Sequence, residues 1–441
     1  MKLARPASRS EIYFKQLKGV FFFRLLSVLS SFIAVPIVYR YLGPSEYGVW
    51  ATIISITSWV LLFDLGVANG LRNRITESIS NNNFLEAKEY ISTAYCIIGI
   101  GIVCVILLFY ILNEYLPWAR IFNTNVLSND ELKLTVNVSM FFILINFFLS
   151  LINQVLDGMQ KSGYVGFNQF LSNVLSLLFV YALSLYTNSS IVSLAVAYGF
   201  SVFLSNMVIS AWFYQKLPSI KPSFRFFKKE KISNILSLGL RFFIIQVAVI
   251  VLFTTDRLII SQLLGPEFVT PYDIVFKLFS AVTIVHGIVI APLWASYADA
   301  FHRGDYTWMR NMMRKQLHVY VMLFLGTLLL CLFAPSIISI WIGDVELLDV
   351  RIIYSLAIFV LLLTWSNVFS YLLNGLSETR LQIQAAIIAS IINIPLSIFF
   401  VNVFGMGVDG VVMASVVSIS IFSILGPFKV YSLLYNNTDN N

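Results

Sequence analysis

Along this chain apolar residues run in stretches of about twenty, and charged residues gather in short segments between them. A helix needs roughly 20 mostly apolar residues to cross a bilayer. Read with a window of about 19 residues, the pattern predicts spans at 17–39, 48–70, 91–112, 134–156, 164–186 and 190–213, then at 235–262, 272–294, 317–341, 351–374, 381–404 and 409–431. The expected fold class is therefore all-α integral membrane, with about twelve transmembrane helices.

The segments between spans alternate in charge. With the N-terminus placed in the cytoplasm, inside segments hold 21 Lys and Arg and outside segments hold 4 (Arg40, Arg120, Lys133 and Arg351). That bias puts both termini on the cytoplasmic side. The expected location is a bacterial inner membrane crossed many times, and the first span is expected to be an uncleaved anchor.

An internal repeat is legible at an offset of 222. Leu42-Gly43-Pro44 after span 1 recurs as Leu264-Gly265-Pro266 after span 7, and Asn83-Phe84 aligns with Asp305-Tyr306. Six spans per half make the halves parallel repeats flanking a central cavity. The expected organisation is an N-terminal six-helix lobe (1–215), a cytoplasmic linker (216–232) and a C-terminal six-helix lobe (233–441). Short amphipathic surface helices are expected in the loops after spans 2 and 8, the first around Glu86 to Glu89.

Composition sharpens the class. Of 441 residues 58% are hydrophobic and 12% charged, whereas soluble domains carry about 25% charged residues. Net charge is +7, but the basic residues are scattered between apolar runs, which argues against a nucleic-acid partner. Cys96, Cys104 and Cys331 lie within apolar stretches without paired spacing and read as small buried hydrophobes, with no disulfide or metal site. Trp50, Trp212, Trp294 and Trp341 fall near span ends and read as interfacial anchors.

Intramembrane charge is confined to the first two spans of each half: Arg24, Asp64, Arg241, Asp256, Arg257 and Lys277, with His286 beside them. A charge at mid-bilayer is costly unless it meets a partner or a cavity, so these spans should line a polar interior. Arg24, Asp64 and His286 lie at similar depth and could form one cluster. Asp256, Arg257 and Lys277 could form another, with one excess positive charge. Arg24, Arg257 and Lys277 suit an anionic head group such as a pyrophosphate. Asp64, Asp256 and His286 suit ion coupling, by proton or sodium, or static ion pairing, such as Arg24 with Asp64 and Asp256 with Lys277. Asn146, Asn153 and Gln154 read mainly as polar glue between helices.

Residues 39–76, YRYLGPSEYGVWATIISITSWVLLFDLGVANGLRNRIT, resemble the first hairpin of bacterial polysaccharide transporters, the O-antigen flippases of the multidrug/oligosaccharidyl-lipid/polysaccharide (MOP) exporter superfamily. Residues 254–278, TTDRLIISQLLGPEFVTPYDIVFKL, resemble the start of that family's second half. The resemblance implies a MATE-like fold and the flipping of an undecaprenyl-pyrophosphate-linked oligosaccharide to the periplasmic leaflet by alternating access coupled to an ion gradient. It also implies membrane lipids, a polysaccharide polymerase and a chain-length regulator as partners. Asp64, Asp256, Arg257 and Lys277 lie inside the two matching segments; Arg24 and His286 lie outside them.

Two other functions compete. A membrane polymerase would carry a long catalytic external loop, whereas the longest here, near Asn113 to Lys133, contains no His. No nucleotide-binding P-loop or zinc-protease motif is present either, so no catalytic residue, metal or cofactor is expected beyond a coupling H+ or Na+. A drug or small-cation antiporter on the same fold is disfavoured because the charged spans hold four cationic side chains against two acids.

Overall fold

Inside a bilayer, backbone N–H and C=O groups find partners only within a helix or a closed barrel, and the long apolar runs here take the helical solution. A computed structural model describes residues 9–59, 67–291 and 293–435. The helices are α1 (Arg9–Leu42), α2 (Pro44–Thr57), α3 (Val67–Ser80), α4 (Phe84–Asn113), α5 (Trp118–Ile121), α6 (Asn129–Leu149), α7 (Leu151–Gly158) and α8 (Ser162–Tyr186). They continue as α9 (Ile191–Lys216), α10 (Lys229–Leu263), α11 (Val269–Ile290), α12 (Leu293–His302), α13 (Tyr306–Trp341), α14 (Val350–Gly375), α15 (Arg380–Asn402) and α16 (Val408–Tyr435). No strand occurs among the described residues.

Ten helices or helix pairs among the described residues are long and apolar enough to cross a membrane. Of the remaining two predicted spans, 48–70 runs through positions outside the described residues, Asp64 among them, and 235–262 lies on α10, where the side chain of Arg241 is not described. The chain forms two compact units. The first comprises residues 1–43, 57–121 and 125–246, and the second 44–56, 122–124 and 247–441. The second unit thus recruits α2 from the first half of the sequence.

Each unit has its own apolar core, and the two cores correspond position by position. Ile75, Ala87 and Ile91 in the first answer to Tyr297, Met309 and Met313 in the second, each 222 positions later. Further along, Leu151, Ile152, Val155, Leu156 and Phe213 answer to Val368, Phe369, Leu372, Leu373 and Val430 at an offset of 217. The offset changes within one span. From N-cap Ser128 to Gly158 the first half has about one helical turn more than the second has from N-cap Asp349 to Gly375. The longer span is interrupted at Ser150, between α6 and α7, whereas α14 is continuous.

The caps repeat as well. Asn83 Oδ1 accepts the Glu86 N–H at 3.1 Å, and Asp305 Oδ1 accepts the Trp308 N–H at 2.9 Å. The preceding Asn82 and Gly304 have φ of 55° and 71°. These caps start α4 and α13, and no glycine or proline interrupts the first turns of either, so the surface helix expected around Glu86 is instead continuous with its span, while the short helix expected after span 8 is present as α12. The separate polar helix after span 2 is α3.

Two other expectations are corrected. Trp50 is buried, because α2 begins at Pro44 and carries it two turns into the helix. None of the three cysteines is buried, and Cys104 is exposed; on a spanning helix the apolar outer face meets lipid, so hydrophobicity does not report enclosure by protein.

A close approach also recurs. A Cβ on Gly158 would lie 2.8 Å from the Arg72 carbonyl oxygen and 2.9 Å from Ile75 Cβ, and one on Gly375 would lie 2.7 Å from Tyr297 Cβ and 3.0 Å from the Trp294 carbonyl oxygen. Arg72 and Ile75 stand 222 positions before Trp294 and Tyr297. Larger side chains here must displace backbone, so Gly158→Leu and Gly375→Leu should each lower stability by about 1–3 kcal/mol. Gly163→Leu, which meets open space, should not; thermal unfolding of the detergent-solubilised protein compares the three.

Candidate functional site

The site grows from two matched turns. Gly43 and Gly265 have φ of 76° and 122°, values at which a side chain is disfavoured, and they end α1 and α10. Beyond them, α2 and the start of α11 stack reciprocally within the second unit. A Cβ on Gly48 would lie 1.8 Å from the Pro266 carbonyl oxygen, while Thr270, 222 positions after Gly48, donates its hydroxyl to the Pro44 carbonyl at 2.6 Å. Ser55 of α2 also donates to the Thr254 carbonyl of α10. This stacking brings Tyr47 of α2 beside the charged residues of α10 and α11.

At the centre is Asp273, whose side chain is 3% exposed. Its Oδ1 accepts from Arg257 Nε at 2.9 Å and from Arg257 Nη2 at 2.7 Å. Its Oδ2 accepts from Lys277 Nζ at 2.7 Å and from the Tyr47 hydroxyl at 2.9 Å. Lys277 also donates to the Tyr47 oxygen at 2.8 Å, which closes a triangle. The Arg257 guanidinium lies over the rings of Tyr272 and Phe276, 5.5 Å and 5.2 Å from their centroids, a placement that offsets part of its desolvation. Exposure grades across the cluster, from Asp273 through Arg257 at 14% to Lys277 at 40%.

Asp256 sits one position before Arg257 but in different company. Its carboxylate accepts from the Tyr272 hydroxyl at 3.2 Å and from the Ser415 hydroxyl at 3.1 Å. Ser415 in turn accepts from Asn393 Nδ2 at 2.9 Å, and the other end of that amide, Asn393 Oδ1, is buried with no hydrogen-bond partner among the described residues. With Arg257 engaged by Asp273, Asp256 is held by hydroxyls in an oxygen-rich pocket.

The expected Asp256–Lys277 ion pair is therefore not formed. Lys277 takes Asp273, one turn earlier on its own helix, because residues four apart share a helix face. The excess positive charge expected of that cluster is also absent, since Asp273 balances the two acids against the two cations. Asp273 was legible as an i, i+4 partner of Lys277, but a span drawn from residue 272 leaves it at the membrane edge. Tyr47, Ser415 and Asn393 gave no signal, being polar residues of a kind common on spanning helices.

The remaining candidates lie elsewhere. Arg24 is exposed on α1, in the first unit. His286 is fully buried on α11, and neither ring nitrogen has a hydrogen-bond partner among the described residues. It stands about 14 Å along the helix from Lys277. Asn146 donates to the Gly199 carbonyl at 2.9 Å, and Asn153 accepts from Asn168 at 3.0 Å, so both tie helices together within the first unit.

This duplicated helical fold with charge enclosed between spans is similar to that of a solved protein described as an inward-facing conformation of a multidrug resistance MATE family transporter of the MOP superfamily. The likeness has a TM-score of 0.78 at 15% identity and covers 96% of this chain and 99% of that one. The chain is thus a multi-pass membrane protein with the MOP-type fold. It belongs to the polysaccharide biosynthesis protein family, whose sequence profile matches residues 17–297. A "Putative O-antigen transporter" of Salmonella typhimurium (strain LT2) is 22% identical over 405 residues, covering 90% of each chain. A "Putative O-antigen export protein" of Yersinia pseudotuberculosis is 24% identical over 282 residues, or 63% of each chain.

Removing one member of a buried ion network strands the others. Asp273→Ala should therefore lower stability by about 3–5 kcal/mol, and Tyr47→Phe by about 1 kcal/mol. The double variant Asp273→Ala/Arg257→Met should recover part of the loss. Equal melting temperatures for wild type and Asp273→Ala would contradict this account of the cluster.

Proposed function

We propose that this protein carries a polyprenyl-pyrophosphate-linked oligosaccharide across the bacterial inner membrane by alternating access, with both chain termini in the cytoplasm. The observation that carries the reading is Lys277, whose side chain is 40% exposed at the edge of an otherwise enclosed ion network. A pyrophosphate offers what Asp273 offers, anionic oxygens for a Lys point charge and an Arg guanidinium. The head group would compete with Asp273 for Lys277 first and for Arg257 next. Release would return both cations to Asp273, so that no charge is left uncompensated in an empty carrier.

Two further observations support this reading. The family is one of polysaccharide biosynthesis, and the two relatives are named for O-antigen transport and export. Because O-antigen repeat units are assembled into polymer, a polymerase and its chain-length regulator would receive what is delivered. The reading asks the chain for no covalent step, so it is not an enzyme in this account.

Coupling would run through Asp256. A carboxylate buried among hydroxyls needs a proton or a cation to balance it, and the oxygens of Asp256, Ser415 and Tyr272, together with the unpartnered Asn393 Oδ1, suit H+ or Na+. Occupancy of this pocket would alter the packing of α10 against α15 and α16, and α10 also carries Arg257.

In a strain lacking the protein, wild type should restore surface polysaccharide. Lys277→Ala should insert normally yet leave lipid-linked repeat units on the cytoplasmic leaflet, with polymer reduced roughly tenfold or more, the loss of one charge-assisted contact. Full restoration by Lys277→Ala would remove the head-group role. For coupling, Asp256→Asn should abolish the dependence of vesicle transport on an ion gradient; wild-type transport indifferent to collapse of both proton and sodium gradients would end that part of the proposal.

A further inference from the structure

Between α9 and α10, residues 217–228 form a strap with two short 3-10 turns, Pro218–Ile220 and Phe224–Phe226. The strap is fixed to the first unit. Ile220 is fully buried in that unit's core. The Ser223 N–H donates to Ser92 Oγ at 3.1 Å and the Lys228 N–H to Thr93 Oγ1 at 3.1 Å, both on α4. Just beyond, Lys231 pairs with Glu86 at 2.6 Å and lies over the Tyr90 ring, 4.2 Å from its centroid. Lys88 lies 4.1 Å from the centroid of Phe226.

What the strap presents outward is unusual for a surface turn. Phe224 is 87% exposed and Phe227 is also exposed. Around them Lys221, Arg225, Lys228 and Lys229 are exposed, and none forms an ion pair among the described residues; Glu230 is the only acid in the stretch from Lys216 to Lys231. A solvated turn has no reason to hold an exposed Phe on an ordered backbone ringed by cations.

The depth of the strap identifies what faces it. On α4 the last charge is Glu89, and none follows until Glu114, just past the end of the helix. From Thr93, where the strap is pinned, to Asn113 the helix rises about 30 Å, the thickness of the hydrocarbon core. The strap therefore lies at the level where head groups meet acyl chains. An aromatic ring there enters the acyl boundary while Lys and Arg reach the phosphates.

We propose that Lys221, Arg225, Lys228 and Lys229, with Phe224 as an apolar wedge, form a docking surface for anionic phospholipid head groups, which anchors the first unit at the bilayer surface. This holds whether or not the transport reading above is correct, since it involves none of the residues of that site.

The test uses the purified full-length protein in a neutral detergent, titrated with phosphatidylglycerol, phosphatidylcholine or inorganic phosphate and followed by thermal unfolding. Phosphatidylglycerol should raise the melting temperature well beyond phosphatidylcholine, in a salt-sensitive way. The quadruple variant K221Q/R225Q/K228Q/K229Q should need roughly tenfold or more phosphatidylglycerol for the same shift, as expected of losing several interfacial cations. Phe224→Ser should weaken the response to both lipids and leave the salt sensitivity intact. Should the quadruple variant fail to fold, Lys221→Gln and Arg225→Gln singly should each give a fraction of its effect. The proposal is overturned if both lipids act equally, if inorganic phosphate alone reproduces the shift, or if the Gln variants respond like wild type.

Discussion

A charged group within hydrocarbon has no water to turn to, so it must bring its counter-charge with it, and in this protein that requirement is met at Asp273. One carboxylate, buried on α11, holds Arg257 from α10 through one oxygen and Lys277 and Tyr47 through the other. Of the three helices that contribute to it, α10 and α11 meet at the Gly265 turn, and α2, which follows the Gly43 turn, is set by the close approach of Gly48 to Pro266. Loss of that approach would separate Tyr47 from the carboxylate, and loss of the carboxylate would leave two cations among apolar helices. Backbone geometry and electrostatics therefore depend on each other here.

The duplication makes the placement of this network informative. Cores, caps and close glycine contacts are repeated in the two halves, at offsets of 222 and then 217. The charges are not. The positions 222 before Asp256, Arg257, Asp273 and Lys277 are Ala34, Val35, Ala51 and Ser55, all uncharged. Packing positions kept their apolar character but not their size, since Ile75, Ala87 and Phe213 answer to Tyr297, Met309 and Val430, so each unit closes its core with its own set of volumes. The charges of this network stand in one half only, and a second copy of them would bring a second desolvation cost.

The second unit also differs from a simple division of the sequence, because α2 belongs to it. This helix carries Pro44, Tyr47, Gly48 and Ser55, each with a partner or close neighbour in the second half. The linker after α9 belongs to the first unit, tied by Ser92, Thr93 and Glu86. Hydrogen bonds of this kind are set by proximity in space, and no feature of composition at residue 44 or residue 216 announces them.

The sequence by itself determined the class: twenty-residue apolar runs admit only spanning helices, the turn residues at matched spacing reveal the duplication, and charges too costly to bury idly mark Arg257, Lys277 and Asp256 as residues to explain. These are properties of position along the chain. The tertiary structure decided the partners. It gave Lys277 to Asp273 rather than to Asp256, surrounded Asp256 with hydroxyls from α11 and α16, left Arg24 exposed in the other unit, and enclosed Trp50 while leaving Cys104 exposed. The reason is that hydropathy fixes a residue's depth in the bilayer, whereas its neighbours depend on the rotation of each helix about its axis, and that rotation is settled only when helices pack.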